Sequence, residues 1–373
     1  MKDVALYIHI PFCKQKCLYC DFPSFSGKEK CMMDYTRALS KEIRSLGDLK
    51  IKTIFIGGGT PTYLPLEAWK LLKESIFTLN LHNDLEFTVE GNPGTFSQEK
   101  LEFFLQMGIN RLSIGLQSYD DVMLKRLGRI HNIKDFNASY RMARTAGFKN
   151  INIDLMFGLP NQSIEQWTST LEQVISLNPE HLSCYSLIIE EGTPFYAMYE
   201  SGNLRLPDED NERIMYQKAL EILKAKGYHQ YEISNFSKTN KECKHNLVYW
   251  NLGDYHGCGA AAHSYINGVR YRNVEDVEKY IHLINNSKKS IVEVYENSLE
   301  DDMEEFMFMG LRKTEGISIS EFSHRFKKDI FQVYGDVINK YINLNLLIKK
   351  EDKLYLSAKG IEVSNVVMSD FIL

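Results

Sequence analysis

The sequence predicts an α/β fold with a mainly helical C-terminal region. Three observations carry this. Apolar strand patterns alternate with helical patterns six times before about Phe236, which implies parallel strands joined by right-handed crossovers. A glycine followed by an apolar residue recurs before strands, at Gly108-Ile109, Gly147-Phe148 and Gly227-Tyr228, as αβ turns require. From Leu299 onward the pattern becomes helical and ends in a hairpin. Alternation alone leaves a doubly wound sheet and a barrel equally open.

In order, Val4 to Ile10 reads as a buried strand ended by Pro11. A helix is predicted from about Lys30 to Leu46, because Tyr35, Leu39, Ile43 and Leu46 share one face and Gly47 can cap it. Thr53 to Ile56 is the second strand and runs into Gly57-Gly58-Gly59-Thr60-Pro61. Glu86 to Glu90 is the third, followed by a helix with Ser97 as N-cap and Gly108 at its end. Arg111 to Gln117, Ile151 to Phe157 and His181 to Ile189 are the fourth, fifth and sixth. Trp167, Leu171, Val174 and Ile175 mark one apolar helical face between the last two. These units define a core domain over 1–236. A histidine-, cysteine- and glycine-rich connecting segment is predicted over 237–298. A helical domain follows over 299–373, where two helices and a hairpin at 346–356 resemble a winged helix; its mildly basic charge fits packing or protein docking better than DNA.

The composition is that of a soluble globular protein: 44% hydrophobic, 25% charged, net charge −5. The negative charge argues against a general nucleic-acid surface. No apolar run reaches the length of a membrane span, and Met1-Lys2-Asp3 does not begin a signal peptide. Seven cysteines, three of them within eight positions, do not form a disulfide framework, so a cytoplasmic location is expected.

Those three, Cys13, Cys17 and Cys20, stand at CxxxCxxC spacing directly after the first strand. A zinc site would ask for four ligands, and no partner CxxC exists. A 4Fe–4S cluster usually takes four thiolates, so three leave one iron open. This spacing resembles the radical S-adenosylmethionine (SAM) family. Tyr7-Ile8-His9-Ile10-Pro11-Phe12-Cys13, Gly57 to Thr62, Ile153-Asp154-Leu155 and Gly158-Leu159-Pro160 narrow the resemblance to the oxygen-independent coproporphyrinogen III oxidase family.

The resemblance implies a partial (β/α)6 barrel with its site at the carboxyl ends of the strands. It implies a 4Fe–4S cluster on Cys13, Cys17 and Cys20, with SAM filling the open iron. Tyr7, Tyr19, Gly58, Gly59, Thr60, Glu90, Gln117, Arg129 and Asp154 are the expected SAM-contacting residues. Glu90, Gln117 and Asp154 lie on strands that otherwise read apolar, where a polar group is costly without a partner. Arg129 suits a carboxylate. Gly57 to Gly59 let backbone approach a ligand.

Two branches of that family differ at places visible here. The decarboxylase branch has a further cysteine two places after the third cluster cysteine, where this chain has Phe22, and a longer N-terminal segment than precedes Tyr7. The heme-chaperone branch carries HNxxYW, found as His245-Asn246-Leu247-Val248-Tyr249-Trp250. A neutral imidazole is a standard axial ligand for heme iron, so His245 is the expected heme residue, against a structural role beside a Tyr-Trp pair. Cys243, His256, Cys258 and His263 are weaker choices, and Cys31 and Cys184 look structural. The resemblance therefore implies heme and a heme-accepting protein as partners, a membrane-associated respiratory hemoprotein and a homodimer among the options. The competing function is a radical SAM enzyme acting on a porphyrin, by decarboxylation or methyl transfer.

Overall fold

The computed structural model describes residues 3–373; Met1 and Lys2, read above as part of a start that is no signal peptide, lie outside the described residues. Six parallel strands lie side by side in chain order: β1 (Asp3–Ile10), β2 (Lys50–Gly58), β3 (Asn80–Gly91), β4 (Arg111–Gln117), β5 (Ile151–Phe157) and β6 (His181–Ser186). The near-continuous burial of β1, β4 and β5 is what parallel strands covered on both faces require. The crossover helices are α1 (Met32–Arg44), α2 (Leu66–Ile76), α3 (Gln98–Gln106), α4 (Asp121–Arg126), α5 (Ile133–Ala146) and α6 (Ile164–Ser176). Local chemistry sets their ends. Ser97 accepts the backbone N–H of Lys100 at 3.2 Å, and Asn132 with Asp135 forms a capping box on α5. Gly147, at φ +118°, ends α5 in a conformation that a side chain would strain. Trp167, Leu171 and Val174 are buried from α6, while Ile175 is half-buried.

After β6 come α7 (Pro194–Glu200) and α8 (Glu209–Ala225), then β7 (His229–Glu232) and β8 (Asn235–Ser237), which extend the sheet antiparallel beyond β6. Residues 237–298 are more than a connector. They hold α9 (Lys244–Trp250), β9 (Tyr255–Cys258), β10 (His263–Ile266), β11 (Val269–Asn273), α10 (Val277–Asn285) and β12 (Ile291–Glu296). β9 pairs parallel to the free edge of β1, and β10, β11 and β12 continue the sheet antiparallel. The physical reason is that a buried β1 cannot leave a row of backbone groups unpaired. The result is one open sheet of twelve strands, ordered β12-β11-β10-β9-β1-β2-β3-β4-β5-β6-β8-β7. Cys258, Val277 and Tyr280 of this segment belong to the main core.

The last region holds α11 (Leu299–Gly310), β13 (Ile317–Ser318), α12 (Ile319–Phe326), α13 (Ile330–Asn343) and the hairpin β14 (Leu347–Lys350) and β15 (Lys353–Leu356). Two short helices, α14 (Ala358–Glu362) and α15 (Ser364–Ser369), close it. β13 joins the hairpin as a third strand, completing the winged-helix pattern. Its core takes in Leu252 and Tyr265 from the preceding segment, which ties the region to the main sheet. Among the described residues, no helix is long and apolar enough to cross a membrane.

Candidate functional site

The cysteine loop leaves the carboxyl end of β1 and is pinned to the rim of the sheet. The Cys13 N–H donates to Phe25 O at 2.9 Å, and the Leu18 N–H to Leu127 O at 3.1 Å. Cys13 is buried, and Cys17 and Cys20 are half-buried. A polar chain connects two of the thiols. Cys13 Sγ lies 3.6 Å from Thr60 Oγ1, which accepts from Asn92 Nδ2 at 2.8 Å. Asn92 Oδ1 accepts from Arg129 Nη2 at 2.6 Å, and Arg129 Nη1 reaches Cys17 Sγ at 3.4 Å. Burial pushes the Cys13 and Cys20 thiols up; contacts with Thr60 and Arg129 pull Cys13 back, as does the Phe22 backbone for Cys20. Among the described residues, no three His, Cys, Asp or Glu side chains converge on a single ion. A four-iron cube takes one thiolate per iron and so needs its thiolates spread rather than converged; three thiols sharing one rim with a guanidinium fit that group. Cys31 lies apart, 3.9 Å from Glu278, while Cys184, Cys243 and Cys258 are buried elsewhere.

The glycine turn sits directly against this loop. Gly58 has φ +113°, and a Cβ there would meet the His9 ring at 2.6 Å. A Cβ on Gly59 would meet Phe12 O at 2.8 Å and Cys13 Sγ at 3.0 Å. Only glycine fits at either position. Gly58 N–H donates to Glu90 Oε2 at 3.2 Å. Burial, then the neighbouring Asp154, pushes the Glu90 carboxyl up to about 8, so it is mostly protonated at neutral pH. Asp154 accepts from Asn152 Nδ2 at 2.7 Å and from Ser113 Oγ at 3.1 Å; burial raises it too. Gln117 ends β4 at φ +73°, a left-handed conformation rare outside glycine, and such strain marks functional positions. Its amide and the Arg129 guanidinium both face Gly115. Tyr7 Oη lies 2.9 Å from His9 Nδ1. Tyr19 packs 6.4 Å from Phe195 between ring centroids, beside Cys17 and Arg129. The structure thus brings Tyr7, Gly58, Gly59, Thr60, Glu90, Gln117, Arg129 and Tyr19 to one rim, with Asp154 just below.

Next to that rim lies an aromatic cavity of about 400 Å³. Its walls come from β1, the residues after Cys20, α9, β9 to β11 and α11, and include Phe22, Tyr249, Trp250, Tyr255 and Tyr265. Phe22 is 62% exposed. His245 is not in this wall. It is 1% exposed, with Nδ1 2.8 Å from Thr53 Oγ1 and Nε2 2.8 Å from Tyr249 Oη. Glu86 accepts the backbone N–H groups of Lys244 and His245, both at 3.0 Å, which fastens the start of α9 across β2 and β3. As folded here, His245 has no free nitrogen for an iron. In this arrangement it braces α9, and the tyrosine and tryptophan of its motif line the cavity.

Residues 7–174 match the Radical SAM superfamily, and residues 297–363 match the HemN C-terminal domain. A protein described as "Heme chaperone HemW" from Bacillus subtilis is 41% identical over 374 residues, covering 99% of both chains. This chain belongs to the HemW family. A HemW relative from Lactococcus lactis is 38% identical, over 100% of this chain and 98% of its own. The solved structure of Escherichia coli coproporphyrinogen III oxidase (HemN), a radical SAM enzyme, superposes with a TM-score of 0.87 over 100% of this chain and 90% of that one. At 22% identity that likeness speaks for the fold alone. Radical SAM membership implies a 4Fe–4S cluster and SAM.

Two polar residues of this HemW-family rim escape a reading of the sequence. Asn92 bridges Thr60 and Arg129, and its signal was a polar residue ahead of Pro93 at a strand end. His131, two residues past Arg129, is buried; burial and the Arg129 charge push its imidazole down to about 3, so it stays neutral beside the guanidinium.

Proposed function

We propose that this protein is a heme chaperone, which holds heme in the aromatic cavity and passes it to an acceptor protein. The carrying observation is the position of that cavity, walled by Tyr249 and Trp250 and abutting the cysteine loop, in a chain matched end to end by a curated HemW relative. Flat aromatic faces suit a porphyrin plane. A membrane-associated respiratory hemoprotein as acceptor, a homodimer and a cytoplasmic setting belong to the same reading. When bound, the cluster would supply a single electron to SAM. The chain's own residues would hold SAM: the Gly58 to Thr60 backbone, Glu90, Gln117 and Asp154 toward its ammonium and hydroxyls, Arg129 toward its carboxylate. Phe22 occupies the place of the decarboxylase's extra cysteine, which counts against decarboxylation. Anaerobically reconstituted protein should take up one heme per chain and release no carbon dioxide from coproporphyrinogen III. Sustained decarboxylation, or no heme uptake, defeats the reading.

The Glu90 carboxyl gives SAM binding a pH signature. Accepting an ammonium favours the carboxylate, so binding must expel the proton that burial retains in the empty site. The free-site value of about 8 lies above the bound value, so SAM affinity should rise with pH and level off above about 8. Calorimetry in buffers of differing ionisation enthalpy should show close to one proton released at pH 7. Glu90→Gln should abolish that release. Equal proton release by wild type and Glu90→Gln would take Glu90 out of the SAM site.

A further inference from the structure

We propose that His263, at the start of β10, is the residue that ligates heme iron in the aromatic cavity. This rests on the heme-chaperone reading and gives it a specific iron ligand. Of the ten histidines in the chain, two line the cavity, His9 and His263. His9 is spoken for: Nδ1 lies 2.9 Å from Tyr7 Oη and Nε2 2.8 Å from Pro23 O, with the ring buried against Gly58. His263 is exposed, and among the described residues neither of its ring nitrogens has a hydrogen-bond partner. Its imidazole therefore offers a lone pair without breaking anything. The walls around it are apolar and aromatic, from Phe22 on the cysteine loop to Tyr249 and Tyr265.

The rest of the cavity agrees with that chemistry. Met309 on α11 also lines it, half-buried, and brings a thioether, the other common axial donor to heme iron. Arg270, the cationic residue in the wall, is bound by Glu305, with Nε to Oε1 at 2.8 Å, so its charge is already answered and does not repel an iron centre. Partial desolvation by the surrounding walls, followed by the Arg272 charge, pushes the exposed His263 imidazole down, which favours the neutral, ligating form at pH 7. On uptake, an imidazole nitrogen donates its lone pair to ferric iron and displaces the water or hydroxide carried by free hemin; no electron moves.

The test is hemin titration of the full-length, cluster-reconstituted protein, followed by absorption and electron paramagnetic resonance. A parallel titration uses iron-free protoporphyrin IX. His263→Ala should shift the Soret band, weaken hemin binding at least tenfold and leave the iron–sulfur absorption intact. Free imidazole should restore the wild-type band. Protoporphyrin binding should be unchanged, because that ligand has no iron to ligate. If wild type binds hemin and His263→Ala gives the same spectrum and affinity, the assignment is wrong while the chaperone reading stands. Equal losses for hemin and protoporphyrin, or no rescue by imidazole, would make His263 a wall residue and overturn it as well. Absence of hemin binding by wild type would strike the chaperone reading itself.

Discussion

Alanine at Cys13, Cys17 or Cys20 is expected to abolish the iron–sulfur absorption of the reconstituted protein, while Cys31→Ala and Cys184→Ala retain it. With three thiolates for four irons, there is no spare ligand to cover a loss. The other four cysteines cannot move in. Cys31 lies beside Glu278 at the start of α1, and Cys184, Cys243 and Cys258 are locked in packed interior. The loop itself should survive each change. Its backbone is anchored by Cys13 N–H to Phe25 O and Leu18 N–H to Leu127 O, bonds that do not involve a side chain. The three variants should therefore keep the circular dichroism of the wild type and lose only the cluster, measured by iron and sulfide content after anaerobic reconstitution. Loss of the cluster in Cys31→Ala would refute the three-ligand assignment. A related outcome follows for Arg129, whose guanidinium sits 3.4 Å from Cys17 Sγ. Its removal should lower cluster yield more than Gln117→Ala does.

The parts of the rim were readable from the sequence because each is local. CxxxCxxC, Gly57 to Gly59 and the polar residues ending apolar strands are short-range signals, and the structure sets them on one rim. The six parallel strands were readable for the same reason, with ends off by a few residues: the sheet extends β2 back to Lys50 and β3 back to Asn80. What could not be read was pairing at a distance. β9 to β12 are four to six residues long, interrupted by glycines and charges, and their place beside β1 depends on the unpaired edge of a strand some 250 residues earlier. Asn92 bridges Thr60 and Arg129, two residues distant from it in the chain, so the polar residue ahead of Pro93 carries no local mark of its partners. The setting of His245 was hidden for a related reason. Its motif pointed to a ligand, but burial depends on how α9 lies across β2 and β3, which no local pattern encodes.

His245→Ala should therefore act on stability and leave heme ligation alone. The substitution removes the imidazole that bridges Thr53 Oγ1 and Tyr249 Oη and leaves both without that bond. Each orphaned hydroxyl costs about 1–3 kcal/mol, so a loss on the order of 2–6 kcal/mol is expected in urea unfolding of the apo protein at pH 7. The pH dependence should change with it. Burial, then the Arg111 charge, pushes the His245 imidazole down to about 3, against an unfolded value near 6.5. The unfolded chain thus binds a proton that the folded one refuses, so stability from this group is complete above about 6.5 and drains away as pH falls toward 3. His9 at about 4 and His131 at about 3 add to the same acid sensitivity. Removing His245 should flatten the fall in stability between pH 6.5 and 4 while lowering it at pH 7. His245→Ala titrated with hemin at a temperature where it is folded should show the wild-type Soret band. A variant as stable as the wild type, with a shifted Soret band, would return the iron to His245 and require α9 to swing away from Thr53 when heme binds.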